Sequence, residues 1–235
     1  MNVLTLLLAD SRFPGGGHVH SGGLEEAAAR GLIRTEADLP AFLRNRLRTA
    51  GALAATFAAA SAVPDPDWST LDAELDARTP SAAQRAASRA QGRATARAAR
   101  AMADHALNDA FGALNAPKAS FSALPAIGRS PHHPVVLGAI VGAGGGSPVD
   151  AALAAAYLSI SGPASASVRL LGLDPLRVNG IVAALAPEVA AVAEGAAAVA
   201  HLDPADLPAP GSPGFDLLAE EHDRHHREEV RLFVS

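Results

Sequence analysis

The chain has 235 residues, enough for one large domain or two small ones with a substantial core. Its 19 basic against 24 acidic residues, a net charge of −5, argue against general nucleic-acid binding, and the absence of Cys excludes disulfides, thiolate zinc sites and cysteine nucleophiles. Hydrophobic residues make up 49% and aromatics only 4%, with Ala supplying much of the difference, so closely approaching helices are expected to build the core.

In chain order, Leu4–Ala9 is an apolar run with no preceding Lys or Arg and no small-residue cleavage pattern, so no leader peptide is expected. Arg12–Glu25 then holds five glycines in fourteen residues, a stretch where backbone is needed and side chains are not. It turns into a short helix from Leu24, with acids in the first turn and Gly31 at the stop. Leu39, Phe42, Leu43, Leu47, Ala50, Leu53 and Phe57 follow steps of three and four, an apolar stripe capped at Asp38 with Pro40 in its first turn. Pro64-Asp65-Pro66 breaks the chain, and Asp67 caps a helix carrying Trp68, Leu71 and Leu75. A long helix is predicted over 81–107, a Pro-rich connection over 115–134, and another helix from Pro134 into Gly144-Gly145-Gly146. Pro148–Ser161 reads as an Ala-rich helix ended by Gly162-Pro163 and resumed over 165–173, with Asp174-Pro175 opening the next. Pro187–His201 is the last long apolar helix, Pro204–Gly214 a linker, and Phe215–Ser235 a charged helix and tail. No sustained strand alternation and no solenoid repeat is visible. The uncharged stretches Ser130–Val149 and Ala151–Val168 reach spanning length only by including His, Pro, Ser or Gly, so buried helices are expected and no membrane contact. The fold class expected is all-α, a single compact domain of about nine or ten helices over 1–203, a linker over 204–214, and a C-terminal partner-binding tail over 215–235.

Several side-chain groups are candidates for chemistry. The glycines form no Walker A loop, because the chain's one Lys is Lys118, far from any such context. His18 and His20 make a His-x-His pair of the kind that ends a barrel strand in metal hydrolases, but no β pattern surrounds them, and a packed turn is the alternative. Arg85, Arg89, Arg93, Arg97 and Arg100 fall within roughly 120° of one helix at about 100° per residue, either a solvated basic face or a docking surface for carboxylates. His132 and His133 read as residues at a helix start. His222, His225 and His226 have the three- and four-residue spacing of helical metal ligands, set against the alternative of a solvated charged helix. The end, Arg231-Leu232-Phe233-Val234-Ser235, offers apolar anchors beside an Arg, as a tail that folds on binding does.

Four of these segments carry a resemblance. The Pro-Gly-rich elbow passing through Ser21-Gly22-Gly23-Leu24-Glu25, the Ser88-Arg89-x-x-Gly92-Arg93 element, the His132-His133-Pro134-Val135-Val136-x-Gly138 segment and the terminal Arg231-Leu232-Phe233-x-Ser235 resemble the UreF family of urease accessory proteins. His18 stands where that family usually has Phe, and Asp174 where it usually has Gln. The resemblance implies a non-catalytic, cytoplasmic, all-α homodimer that binds UreD (UreH in some species), recruits the GTPase UreG, and assists nickel insertion into apo-urease. It implies nickel in transit and no stably bound cofactor. Arg231, Leu232, Phe233, Arg85, Arg89, Arg93 and Arg97 are then the expected partner contacts, and His18, His20 and Glu25 the expected lining of a metal passage. Two alternatives stay open: a GTPase-activating protein that offers an Arg, and a His-x-His metal hydrolase.

Overall fold

A computed structural model describes residues 3–15, 20–106 and 128–232. Among these residues every regular element is helical. Ten helices follow in order: α1 (Val3–Ala9), α2 (Leu24–Ala29), α3 (Leu39–Arg46 and Ala52–Ser61, joined by a π turn at Leu47–Gly51), α4 (Trp68–Ala77), α5 (Ala82–Ala106), α6 (His133–Ala143), α7 (Pro148–Leu171), α8 (Pro175–Ala184), α9 (Ala186–Ala198) and α10 (Pro213–Leu232).

Helix α7 is the axis. It packs most extensively on the second half of α3 and on α9, and also touches α1, α2, α6 and α8. Its faces carry Ala151, Ala152, Ala154, Ala155, Ala156, Ala164 and Ala166, all buried, so the low aromatic content becomes close helix approach. The stripe read from the sequence is the inner face of α3, where Leu39, Leu43, Leu47 and Phe57 are fully buried. Length and apolarity alone would let α7 cross a membrane, but more than half of that stretch is buried inside this bundle. It is a core helix.

Local side-chain caps open three of the helices. Asp67 accepts from the Thr70 N–H at 3.0 Å, Asp174 from the Leu176 N–H at 2.8 Å, and Ser147 forms a capping box with Asp150. Asp38 does stand at the start of α3, but its carboxylate turns back to accept from the backbone of Arg34 and Thr35, each at 3.0 Å, and caps nothing in the helix.

The expected break at Gly162-Pro163 is a correction. Helix α7 runs unbroken through Pro163. Proline has no N–H for the carbonyl four residues earlier, which belongs to Ser159. The Arg46 side chain supplies the missing donor, its Nε lying 2.9 Å from the Ser159 carbonyl oxygen. A side chain from α3 thus repairs the ladder of α7.

The segment between α9 and α10 contains a 3-10 turn at Pro204–Asp206 and buries Leu207. The first turns of α10 then seat Phe215 and Leu218 against the core, with the Phe215 ring edge-to-face on Phe42 at 5.3 Å between centroids. The body of α10 lies along α5 and α2.

Candidate functional site

The Ser88–Arg93 element and the His132–Gly138 segment, joined by Ser88 and His132 44 residues apart in sequence, are two halves of one joint. Gly92 on α5 faces the backbone just before α6, where an added Cβ would lie 2.0 Å from the Pro131 carbonyl oxygen. No side chain fits there. With the backbones this close, Ser88 Oγ lies 3.0 Å from His132 Nδ1 and accepts from the His133 N–H at 3.3 Å. His132 is 1% exposed, its Nε2 stands 3.0 Å from Asp76 Oδ1, and its backbone N–H donates to Asp72 at 2.7 Å. The set is satisfied when Nε2–H donates to Asp76 and Nδ1 accepts from the Ser88 hydroxyl. Burial, followed by the Arg89 charge, holds the His132 pKa below its ordinary value, although Asp76 and Asp72 pull the other way.

This joint divides the arginine stripe. Arg89 binds Asp72 at 3.0 Å, Asp76 at 2.7 Å and the Ser130 carbonyl, and Arg85 donates to the Thr79 and Pro80 carbonyls at 2.7 and 2.9 Å. Both therefore tie α5 to α4 and its flanks. Arg93 reaches the Ser130 hydroxyl at 2.7 Å but is exposed, and so are Arg97 and Arg100.

The glycine elbow borders a cleft of about 2060 Å³ that continues between α5, α7 and α10. His20 and His133 both line it. Burial and the neighbouring Arg46 charge lower the His20 pKa; burial and then His20 lower that of His133 to about 4. Both imidazoles are accordingly neutral near pH 7, the form that ligates metal. Arg46 enters the same cleft beneath the Phe215 ring, 5.3 Å from its centroid, and burial lowers its pKa to about 10. Gly22 makes room for it, since at φ +62° an added Cβ would lie 2.8 Å from both the guanidinium and the Pro163 ring. A guanidinium here disfavours a second cation close by. His18 lies outside the described residues, so the His-x-His pair is seen only at His20.

The elbow also meets α10. His222 Nε2 stands 3.9 Å from Glu25 Oε2, and His225 Nδ1 stands 3.2 Å from Glu26 Oε2. His226 stacks on His222 at 6.4 Å between ring centroids. The structure thus sets His222 beside Glu25 and His225 beside Glu26, pairs which the sequence could not connect. Glu26, missed by sequence reasoning, is the buried member of this seam at 2% exposure. Its only signal was the pair of acids opening α2. Of the tail anchors, Arg231 and Leu232 fall in the last turn of α10 with only their backbone described, and Phe233 lies outside the described residues.

The profile of the family described as UreF matches residues 33–186. The chain is 43% identical to the urease accessory protein UreF of Mycobacterium sp. (strain JLS), with all of both chains covered. It is 42% identical to the protein of that name from Mycolicibacterium vanbaalenii, covering 98% of this chain and 97% of the relative. The urease accessory protein UreF of Mycobacterium tuberculosis (strain CDC 1551 / Oshkosh) is 40% identical, with 99% and 98% covered.

Proposed function

The chain belongs to the UreF family of urease accessory proteins, and from that premise we propose that it works with UreD (UreH) to recruit the GTPase UreG and assist nickel insertion into apo-urease. In this reading it is a non-catalytic cytoplasmic scaffold, homodimeric, with nickel as cargo and no resident cofactor. The observation that carries it is the division of the arginine stripe. Arg85 and Arg89 are half-buried and tied to α4 and its flanks, whereas Arg93, Arg97 and Arg100 stand exposed along one face of α5. Planar guanidinium groups in a row suit an acidic protein surface, and the net negative charge and lack of interleaved aromatics disfavour nucleic acid. The terminal Arg231-Leu232-Phe233 supplies apolar anchors for a second contact, distinct from the stripe.

A quantitative pull-down with purified UreD and UreG tests this arrangement. Deleting Arg231–Ser235 shortens α10 by its last two described residues and should leave the rest of the fold intact. Loss of anchors of this kind costs about 2 kcal/mol, roughly thirtyfold in affinity. A truncated chain that assembles as tightly as the full chain would remove the tail from the interface.

A further inference from the structure

We infer that the seam between α2 and α10 is a binding site for a divalent transition-metal cation, with Glu26, Glu221 and His225 as ligands and Arg30 as the resident cation that the metal replaces. One ligand atom from each of the three lies within 4.8 Å of the others, and among the described residues no other set of three His or acidic groups is so gathered. Two carboxylates and one imidazole suit borderline divalent cations such as nickel or zinc, and the imidazole selects against magnesium and calcium.

The seam is held for a cation. Glu26 is almost fully buried on the core side of α2, where an ionised carboxylate needs a compensating charge. Arg30 supplies it, with Nε 2.6 Å from Glu26 Oε1 and Nη2 3.0 Å from Glu221 Oε2. Burial pushes the Glu26 pKa up, but the hydrogen bonds from Arg30 and His225 outweigh it and leave the carboxyl below its usual range. Glu221 also pairs with Arg224 one turn along α10, and the His222–Glu25 pair lies beside the site. Arg30 is the mobile partner: its side chain is 45% exposed on a four-bond stem, and it can swing to water while both glutamates stay on their helices. Exchange of one guanidinium for one divalent cation keeps the buried charge compensated. It also gives the site a threshold, because the metal must outcompete a bound arginine. Such a site holds its cargo loosely, as a carrier needs.

This deepens the delivery reading and rests on it only for the identity of the cargo. The test is calorimetric titration of nickel(II) and, separately, zinc(II) into the full chain freed of metal by chelation. The expected result is one stoichiometric site in the wild type. His225→Ala, at an exposed side chain that should not disturb folding, should weaken it about tenfold or more, and Glu26→Gln similarly. Arg30→Ala should tighten it about tenfold, an effect that a merely structural ion pair would not produce. Absence of a stoichiometric site in the wild type overturns the proposal. So does an affinity unchanged in His225→Ala, or one lost on His222→Ala alone, which would move the ligands to the His222–His226 pair. A chain that fails the titration yet still supports nickel loading of urease removes this site and leaves the delivery reading standing.

Discussion

Replacing His132 by alanine should destabilise the fold by about 3 kcal/mol or more. Its ring makes two hydrogen bonds and its backbone N–H a third. Truncation opens a ring-sized cavity at a site 1% exposed and strips the Ser88 hydroxyl of its acceptor. Large-to-small changes at such positions cost about 2–5 kcal/mol, and a buried polar group left unpaired costs about 1–3 kcal/mol. The two overlap and do not simply add. Urea denaturation should show the midpoint falling by about 1 M, taking a slope of about 3 kcal/mol per M for a chain of this size. A midpoint within about 0.2 M of wild type would mean that α4, α5 and α6 are not joined through this imidazole.

Acid should loosen the same region before the carboxylates titrate. His20, His132 and His133 all have folded pKa values below their ordinary values, the first cause in each case being burial. Between the two values the unfolded chain holds more protons than the folded one, so stability rises with pH in that window. Their contribution is therefore complete above about pH 6.5 and is lost as pH falls toward the folded values. His133, lowered to about 4, alone accounts for a loss on the order of 3 kcal/mol across that range. Denaturation midpoints should stay level from pH 7.5 to about 6.5 and then fall down to pH 4.5, and His133→Gln should flatten the decline. A midpoint independent of pH down to 4.5 would contradict the buried, neutral state of these rings.

Much of the helix map was legible because its signals are local. Asp67 and Asp174 sit one residue before periodic apolar runs, and their side chains do cap the helices that follow. The α3 stripe was legible because a repeat of three and four residues admits one buried face. Pro163 misled because local rules cannot see a donor supplied from α3, 113 residues away in sequence. Asp38 misled for a smaller reason: the preceding turn offered its carboxylate two N–H groups, and these won over the helix end.

The candidate site was legible in pieces and not as a whole. Gly22, in the glycine-rich elbow, announced close backbone approach, and Gly92 stood out only within its family-like element; what approaches them, Arg46 with Pro163 and the Pro131 carbonyl, is set by tertiary packing. The stripe read as one basic face because helical spacing is blind to Asp72 and Asp76 on α4, which take Arg89 out of that face. Glu26 and His225 are 199 residues apart, and no spacing rule joins them. His132 looked like a residue at a helix start, which it is, but its burial follows from α5 lying against it.

We propose that this member of the UreF family serves nickel delivery rather than folding of the enzyme's core. The most direct test is the nickel content per urease active site in cells of the host that lack this chain, measured by elemental analysis of purified urease beside a complemented strain. The account predicts urease subunits at normal abundance with little nickel and little activity, both restored by the complementing copy. Urease purified at full nickel occupancy from the deletion strain would contradict it.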